Sequence, residues 1–226
     1  MQRFGILANY KSSNLGKDNK NKIVIAAGFG LAALVLASTG DKKSTPPKVY
    51  APKITGGSVE FIKKMYPVAL AAQKQYPKIP WQLFLTFSGL ESGFGKSAPE
   101  WNFFGTKPGK AWKGKTQLLT TTEVLPKKTG YNFPEVISVT PSTKYPGKYT
   151  WKVKDRFRAY NSPLEAFLDF GAFISKGCYA KAANLPYINQ KLQQIKDCGY
   201  ATDPGYVAKQ LKMVSLVQET VNKLLK

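Results

Sequence analysis

The chain has 226 residues, with 34 Lys and Arg, 13 Asp and Glu and no His, which gives a net charge of +21. The missing His excludes Ser-His-Asp and Cys-His catalysis and His-ligated zinc hydrolysis, so acid–base chemistry must depend on Asp, Glu, Tyr, Lys or Cys. The charge favours anionic partners, and 43% apolar residues are enough for a hydrophobic core rather than disorder throughout.

The N-terminal part of the chain differs in composition from the rest. Residues 1–22 are polar and basic, and residues 23–40 (IVIAAGFGLAALVLASTG) carry no charge. This run is at the short end for a membrane-spanning helix, and the basic residues before it predict a cytoplasmic N-terminus. We interpret the run as a retained signal anchor; a signal peptide cleaved near Ala37 is the alternative. Residues 41–57, rich in Pro, Lys and Thr, are predicted to form a linker.

Residues 58–226 are predicted to form one α+β domain that is mainly α. Its first helix covers residues 59–76 and is bent or interrupted at Pro67. Pro80 fits the first turn of a second helix, whose apolar positions continue to Leu90.

The helical period disappears between residues 105 and 160. Residues 117–124 and 149–157 alternate and are rich in Thr, Val and aromatic residues, which predicts two strands of a small β-lobe. The Pro- and Gly-rich stretch between them is predicted to be a long connection.

Three further helices complete the predicted domain. Ser162 as N-cap, followed by Pro163 and Glu165, indicates a helix start with a capping box. The next helix covers residues 187–197, and the last begins at Asp203.

Glu91 is the first candidate for chemistry. It ends the aromatic-rich second helix, and helical spacing places it on the face of Phe84 and Phe87. Desolvation there would raise its pKa and let it act as a general acid. An ion pair, or a cap on the glycine loop that follows, is the simpler role.

Glu123 is the second candidate carboxylate, on the first predicted strand. Alternation places it on the face opposite Thr122 and Val124, so it faces solvent or a cleft if those two residues pack inward. An exposed residue paired with a Lys is the simpler interpretation. Two carboxylates on separate parts of a domain could serve as acid and base in glycoside cleavage.

Four motifs occur in order along the domain: SGLESGFGKS at 88–97, WNFFGTK at 101–107, FRAYNSPLEAFLDF at 157–170 and GYATDPGY at 199–206. Together they resemble the motifs of glycoside hydrolase family 73, the peptidoglycan N-acetylglucosaminidases that include flagellar rod-associated hydrolase domains and autolysins. The resemblance implies a lysozyme-like fold, in which a helical body carries the acid and a β-lobe forms the other wall of the groove.

The resemblance also implies roles for single residues. Glu91 matches the family's catalytic acid, Glu123 stands where a second acidic residue is proposed as base or stabiliser, and Tyr200 matches a tyrosine that lines the cleft near the acid. Tyr206 has packing as its simpler role. The residues that the resemblance marks for substrate binding are Trp101, Asn102, Phe104, Gly105 and Tyr206.

The chain also departs from the family pattern. Phe94 stands where Trp is common, and Gly89 loosens the helix end before Glu91. The span between the two predicted strands is longer than the family's hairpin and contains Glu135, which competes with Glu123 for the second role. We prefer Glu123 for its strand context.

Cys178 and Cys198 lie at the ends of two consecutive predicted helices. A disulfide between them is plausible if the domain is exported, and two buried free thiols are the alternative. The sequence has no C-x-x-C, no glycine-rich phosphate loop and no spacing typical of metal ligands, so no cofactor is expected.

These observations predict an exported glycoside hydrolase that cleaves the β-1,4 bond between N-acetylglucosamine and N-acetylmuramic acid in peptidoglycan. A lytic transglycosylase or muramidase of the lysozyme-like class, and a non-catalytic wall-binding component, are the alternatives. The expected partners are glycan strands and anionic wall polymers, with a membrane contact through residues 23–40 and no nucleic acid. A secreted or virion-associated form is compatible with the same sequence.

Overall fold

The computed structural model describes residues 57–226. The predicted basic N-terminus, the apolar run 23–40 and residues 41–56 of the linker lie outside the described residues. None of the helices within 57–226 is long and apolar enough to cross a membrane.

The described residues form a helical body into which a three-stranded sheet is inserted between the second and third helices. Two short 3₁₀ turns, Pro99–Trp101 and Gly177–Tyr179, lie in the connections. The α-helices are α1 Gly57–Gln75, α2 Trp81–Ser92, α3 Pro163–Ile174, α4 Ala180–Ala183, α5 Ile188–Asp197 and α6 Tyr206–Leu224, and the strands are β1 Thr116–Leu125, β2 Glu135–Pro141 and β3 Tyr149–Arg158.

Helix α1 is continuous, whereas the sequence predicted a bend or an interruption at Pro67. The proline is exposed within the helix. Phe61, Met65 and Ala69 repeat at helical spacing on the buried face, so burial of this apolar stripe holds the helix together across the proline. Helix α2 begins at Trp81, one residue after Pro80, which is its N-cap.

The sheet is antiparallel with the order β1-β3-β2. Strands β1 and β3 match the two predicted strands, but β2 lies inside the stretch that was predicted to be a connection. Only Val139 of β2 is partly buried and its other residues are exposed, so this edge strand lacks the alternation that marks a half-buried strand.

The core of the helical body is largely aromatic. Phe104 stacks on Phe170 with ring centroids 4.1 Å apart. Phe84 and Phe87, both on α2, also contact the Phe170 ring. The sheet has a smaller core of its own, in which Trp151 packs against Tyr131 and Phe133. The segment between β1 and β2 therefore covers one face of the sheet.

The joint between the sheet and the helical body is an ion pair. Nη1 of Arg158, at the end of β3, donates to both carboxylate oxygens of Asp169 on α3 at 2.6 Å, and the Tyr160 hydroxyl donates to the same carboxylate at 2.7 Å. Ser162 caps α3 by accepting from the Glu165 backbone N–H, as predicted.

Cys178 and Cys198 form a disulfide. The bond ties the 3₁₀ turn before α4 to the residue that follows α5. Of the two states that the sequence left open, the structure therefore shows the bridged one.

We expect Asp169→Asn to lower the free energy of unfolding by about 2–4 kcal/mol, because the amide loses the charge that pairs with Arg158 and one of the two oxygens that accept from Arg158 and Tyr160. Urea unfolding at pH 7 measures this. Asp197→Asn is the matched control, because Asp197 is an exposed Asp at the end of α5. A loss no larger than that of the control would contradict the role of the joint.

Candidate active site

Glu91 lies in the last turn of α2, four residues after the buried Phe87. The helix ends immediately afterwards, because Gly93 adopts a left-handed conformation that an L side chain rarely takes. Burial raises the pKa of Glu91 to about 7, although a hydrogen bond from Tyr206 lowers it in part. The predicted desolvation of this carboxyl group is therefore present in the structure.

Tyr206, the first residue of α6, contacts the carboxyl group directly. Its hydroxyl donates to Glu91 Oε1 at 2.9 Å and accepts from Nε2 of Gln210 at 2.9 Å. The phenol is buried and both of its hydrogen-bonding directions are used, so the sequence assignment of Tyr206 to substrate binding does not fit the structure. Gln210 was not predicted, although its i+4 spacing from Tyr206 could have indicated the contact.

Tyr200 is buried in the same cluster of rings. Its ring meets Phe87 edge-to-face at 4.9 Å. Burial, followed by the nearby negative charge of Glu91, raises the pKa of the Tyr200 hydroxyl. Among residues 57–226 this hydroxyl has no hydrogen-bond partner. A buried unpartnered hydroxyl costs about 1–3 kcal/mol, and such groups are often retained for a functional contact.

The loop between α2 and β1 contains strained backbone. Phe94, Glu100 and Trp101 have positive φ values of 58°, 48° and 57°, in the left-handed region that non-glycine residues rarely occupy. Strain of this kind is concentrated at binding and catalytic sites. Trp101 and Gly105 remain partly exposed in this loop, so both stay candidates for substrate contact.

Asn102 and Phe104 are placed differently from the prediction of a substrate-facing loop. Nδ2 of Asn102 donates to the backbone oxygens of Thr106 and Arg158, and its Oδ1 accepts from the Thr106 N–H. Phe104 is only 1% exposed and stacks on Phe170. Asn102 therefore holds the loop against the end of β3, and Phe104 holds it against α3.

Glu123 lies on the covered face of the sheet. It pairs across β1 and β3 with Trp151, and this face also carries the buried Thr121. Thr122 is exposed, so the condition under which Glu123 would face solvent, with Thr122 packed inward, is not met. The Glu123 side chain is 12% exposed, and its Oε1 lies 2.9 Å from Lys107 Nζ.

Glu135 lies on the other face of the same sheet. Its register partner on β3 is Lys154, whereas the partner of Glu123 is Trp151. These two partners are three residues apart, and residues an odd number apart along a strand lie on opposite faces. Glu135 is 49% exposed and pairs with Lys154 at 2.6 Å. The geometry thus places Glu123 on the covered face and Glu135 in solvent.

Comparisons with known proteins agree with this architecture. Residues 66–219 match the model of the glucosaminidase family, described as mannosyl-glycoprotein endo-β-N-acetylglucosaminidase. The peptidoglycan hydrolase FlgJ of Escherichia coli K12 is 30% identical over 189 residues, which cover 80% of this chain and 53% of that protein. The Pseudomonas aeruginosa FlgJ is 27% identical over 194 residues, which cover 80% of this chain and 42% of that protein. The chain therefore spans about half the length or less of these relatives.

Two solved structures are similar in fold. The glycoside hydrolase domain of Salmonella typhimurium FlgJ has a TM-score of 0.56 and 28% identity, and the match covers 75% of this chain and 93% of that domain. A mutant peptidoglycan hydrolase from Sphingomonas sp. A1 has a TM-score of 0.55 and 24% identity, and covers 73% and 99%.

A helical body with a desolvated carboxyl group, joined to a small antiparallel sheet, defines the lysozyme-like class of glycoside hydrolase domains. With the family match over residues 66–219, the assignment becomes more specific. The chain belongs to the glucosaminidase family.

We expect Tyr206→Phe to move the alkaline limb of the pH–activity profile to higher pH. The Tyr206 hydrogen bond lowers the pKa of Glu91, so removing it raises this pKa above about 7 and keeps the acid protonated further into the alkaline range. The measurement is kcat/KM against pH on purified cell wall. A limb that stays in place or moves to lower pH would contradict this electrostatic role, and Tyr187→Phe, which changes an exposed tyrosine, is the control.

Proposed function

We propose that this chain hydrolyses the β-1,4 bond between N-acetylglucosamine and N-acetylmuramic acid in peptidoglycan, with Glu91 as the general acid. The observation that carries the proposal is the desolvated carboxyl of Glu91, with its pKa raised to about 7. Such an acid is substantially protonated at neutral pH and can give its proton to a leaving oxygen. Peptidoglycan as substrate is supported by the family and by relatives described as peptidoglycan hydrolases.

In the proposed reaction, Glu91 protonates the glycosidic oxygen while the bond from this oxygen to the anomeric carbon breaks. A water molecule attacks the anomeric carbon and gives its proton to Glu123. Alternatively, the acetamido oxygen of the substrate attacks first, and water then opens the ring that forms. Both routes consume one water, and solvent restores the proton of Glu91. Direct attack by water inverts the anomeric carbon and attack by the acetamido group retains it, so the anomer of the product distinguishes the routes.

Tyr200 is proposed as the third participant in the reaction. Its buried hydroxyl lacks a partner within residues 57–226 and lies close enough to Glu91 to sense its charge. Because the hydroxyl is enclosed by protein, we propose that Tyr200 acts on Glu91 from inside the domain and does not touch the sugar. The partly exposed Trp101 is proposed to pack against a sugar face nearby.

The proposed place of action is outside the cytoplasm. A disulfide such as Cys178–Cys198 persists in oxidising compartments, and the apolar run 23–40 remains our predicted membrane anchor. The outer face of β3 carries Lys152, Lys154 and Arg156, of which Lys152 and Arg156 are exposed. This basic stripe supports the proposed affinity for anionic wall polymers.

The proposal predicts that digestion of purified peptidoglycan releases muropeptides with N-acetylglucosamine at the new reducing ends, as read by mass spectrometry. Glu91→Gln is expected to lower kcat/KM by about 10³-fold, because the amide has no proton to transfer. Anhydromuramyl ends would identify a lytic transglycosylase, and reducing-end N-acetylmuramic acid a muramidase. Binding of wall without cleavage would favour the wall-binding component.

A stability measurement separates loss of chemistry from loss of fold in Glu91→Gln. The pKa of Glu91 rises from 4.5 to about 7 on folding, so the wild type loses stability as pH increases between these two values. The variant has no such loss. It should be at least as stable as the wild type at pH 8, with the advantage absent at pH 4. Full activity in this folded variant would remove Glu91 as the acid.

Glu123→Gln and Glu135→Gln form a matched pair on opposite faces of the sheet. We expect the first substitution to reduce kcat/KM by about 10²-fold or more, because it removes the proposed base. The second should leave kcat/KM within about twofold, because it changes an exposed surface ion pair of small energetic weight. The reverse order of effects would assign the second carboxylate to Glu135.

A further inference from the structure

Lys107 lies between two carboxylates on the covered side of the sheet. Its Nζ is 2.9 Å from Glu123 Oε1 and 2.8 Å from Asp155 Oδ2. The three side chains are 19%, 12% and 18% exposed, so solvent screens their charges less than those of a surface pair. Neither Lys107 nor Asp155 has a part in the proposed reaction so far.

The ammonium group of Lys107 is fixed in place by the surrounding structure. The Lys107 backbone oxygen accepts from Nε of Arg158 at 3.3 Å, and its Nζ lies 5.6 Å from the centroid of the Phe157 ring. Burial lowers the pKa of Lys107, but the hydrogen bonds to Asp155 and Glu123 outweigh this and raise it overall. Lys107 is therefore charged throughout the pH range in which a glycosidase of this kind works.

One cation shared by two carboxylates leaves an excess of one negative charge in the cluster when all three groups are ionised. Glu123 thus has the positive charge of Lys107 beside it and the negative charge of Asp155 on the far side of the same ammonium group. Asp155 also accepts from the Arg156 backbone N–H, which fixes the orientation of its carboxylate. The two neighbours of Glu123 therefore act in opposite directions.

Within residues 57–226, the side chains that the strand register places next to Glu123 on its own face are uncharged. On the same face of the sheet its neighbours are Thr121, Trp151 and Val153, and Tyr131 packs on Trp151 from the covering segment. The remaining charged side chains of β3 are engaged elsewhere or lie on the opposite face. They are Arg158, which pairs with Asp169, and Lys152, Lys154 and Arg156.

We propose that Lys107 is a positioning residue that holds Glu123 as an ionised carboxylate, and that Asp155, by sharing the same ammonium group, sets the pH at which Glu123 becomes competent. The inference rests on the proposed function, in which Glu123 accepts a proton from water. Because Lys107 is bound by both carboxylates, its contact with Glu123 depends on Asp155.

The experiment compares Lys107→Met, Lys107→Arg and Asp155→Asn with the wild type. The acidic limb of kcat/KM against pH on purified cell wall is expected to move up by about one pH unit in Lys107→Met and down by about one unit in Asp155→Asn. Lys107→Arg keeps the cation and should return the limb to within about 0.3 units of the wild type. The alkaline limb, which reports Glu91, serves as the internal reference.

A titration of the Glu123 carboxyl by ¹³C NMR tests the same claim without turnover. Its titration midpoint should rise in Lys107→Met and fall in Asp155→Asn, as the acidic limb does. If Lys107 has only a structural role, Lys107→Met and Asp155→Asn should lower kcat without moving the acidic limb or the midpoint. That result would overturn the inference. Shifts of the same sign in both variants would also overturn it.

The two levels of the proposal fail in different ways. If the wild type does not cleave peptidoglycan, the proposed function fails, and the NMR midpoints alone then decide whether Lys107 and Asp155 control the ionisation of Glu123. If the wild type cleaves normally and the midpoints stay fixed, only the inference about Lys107 and Asp155 fails.

Discussion

The ion pair between Arg158 and Asp169 is the contact on which the site geometry depends. Arg158 ends β3 and its guanidinium lies over the ring of Trp112, 4.4 Å from the ring centroid, while its backbone oxygen accepts from Asn102. Its Nε donates to the backbone oxygen of Lys107, and the Lys107 side chain pairs with Glu123 on β1. The FRAYNSPLEAFLDF motif therefore places the sheet, the loop before it and helix α3 relative to one another.

The two proposed catalytic carboxylates are placed in opposite electrostatic settings. Glu91 is desolvated and bonded to a neutral phenol, so its proton is retained to about pH 7. Glu123 is instead bonded to the ammonium group of Lys107. An acid and a base that work together need such separation, because one must carry a proton at the pH at which the other has lost it. The proposed acid Glu91 lies at a buried helix end, and the proposed base Glu123 lies beside a lysine.

Sequence reasoning succeeded where the signal was local and failed where it depended on contacts distant in the chain. The periodicity around Phe84 and Phe87 was enough to place Glu91 on a buried helix face, and the Ser162 cap was read correctly. Strand β2 was missed because its exposed residues carry no alternation. The motif around Asn102 and Phe104 marked an important loop, but a motif does not state whether its side chains face a ligand or the core. The link from Lys107 to Asp155 joins residues far apart in sequence.

A phenol is a suitable partner for the proposed acid Glu91, because it donates a hydrogen bond without adding a charge. A cation beside Glu91 would stabilise the carboxylate and lower its pKa, as an ammonium group does for any neighbouring acid. In a chain with 34 basic residues, a general acid is therefore useful only if those charges are kept away from it. Within residues 57–226 the pKa of Glu91 is set by burial and by Tyr206, which supplies a hydrogen bond without a charge. The same reasoning makes Gln210 the suitable partner for Tyr206, because an amide orients the phenol and also adds no charge.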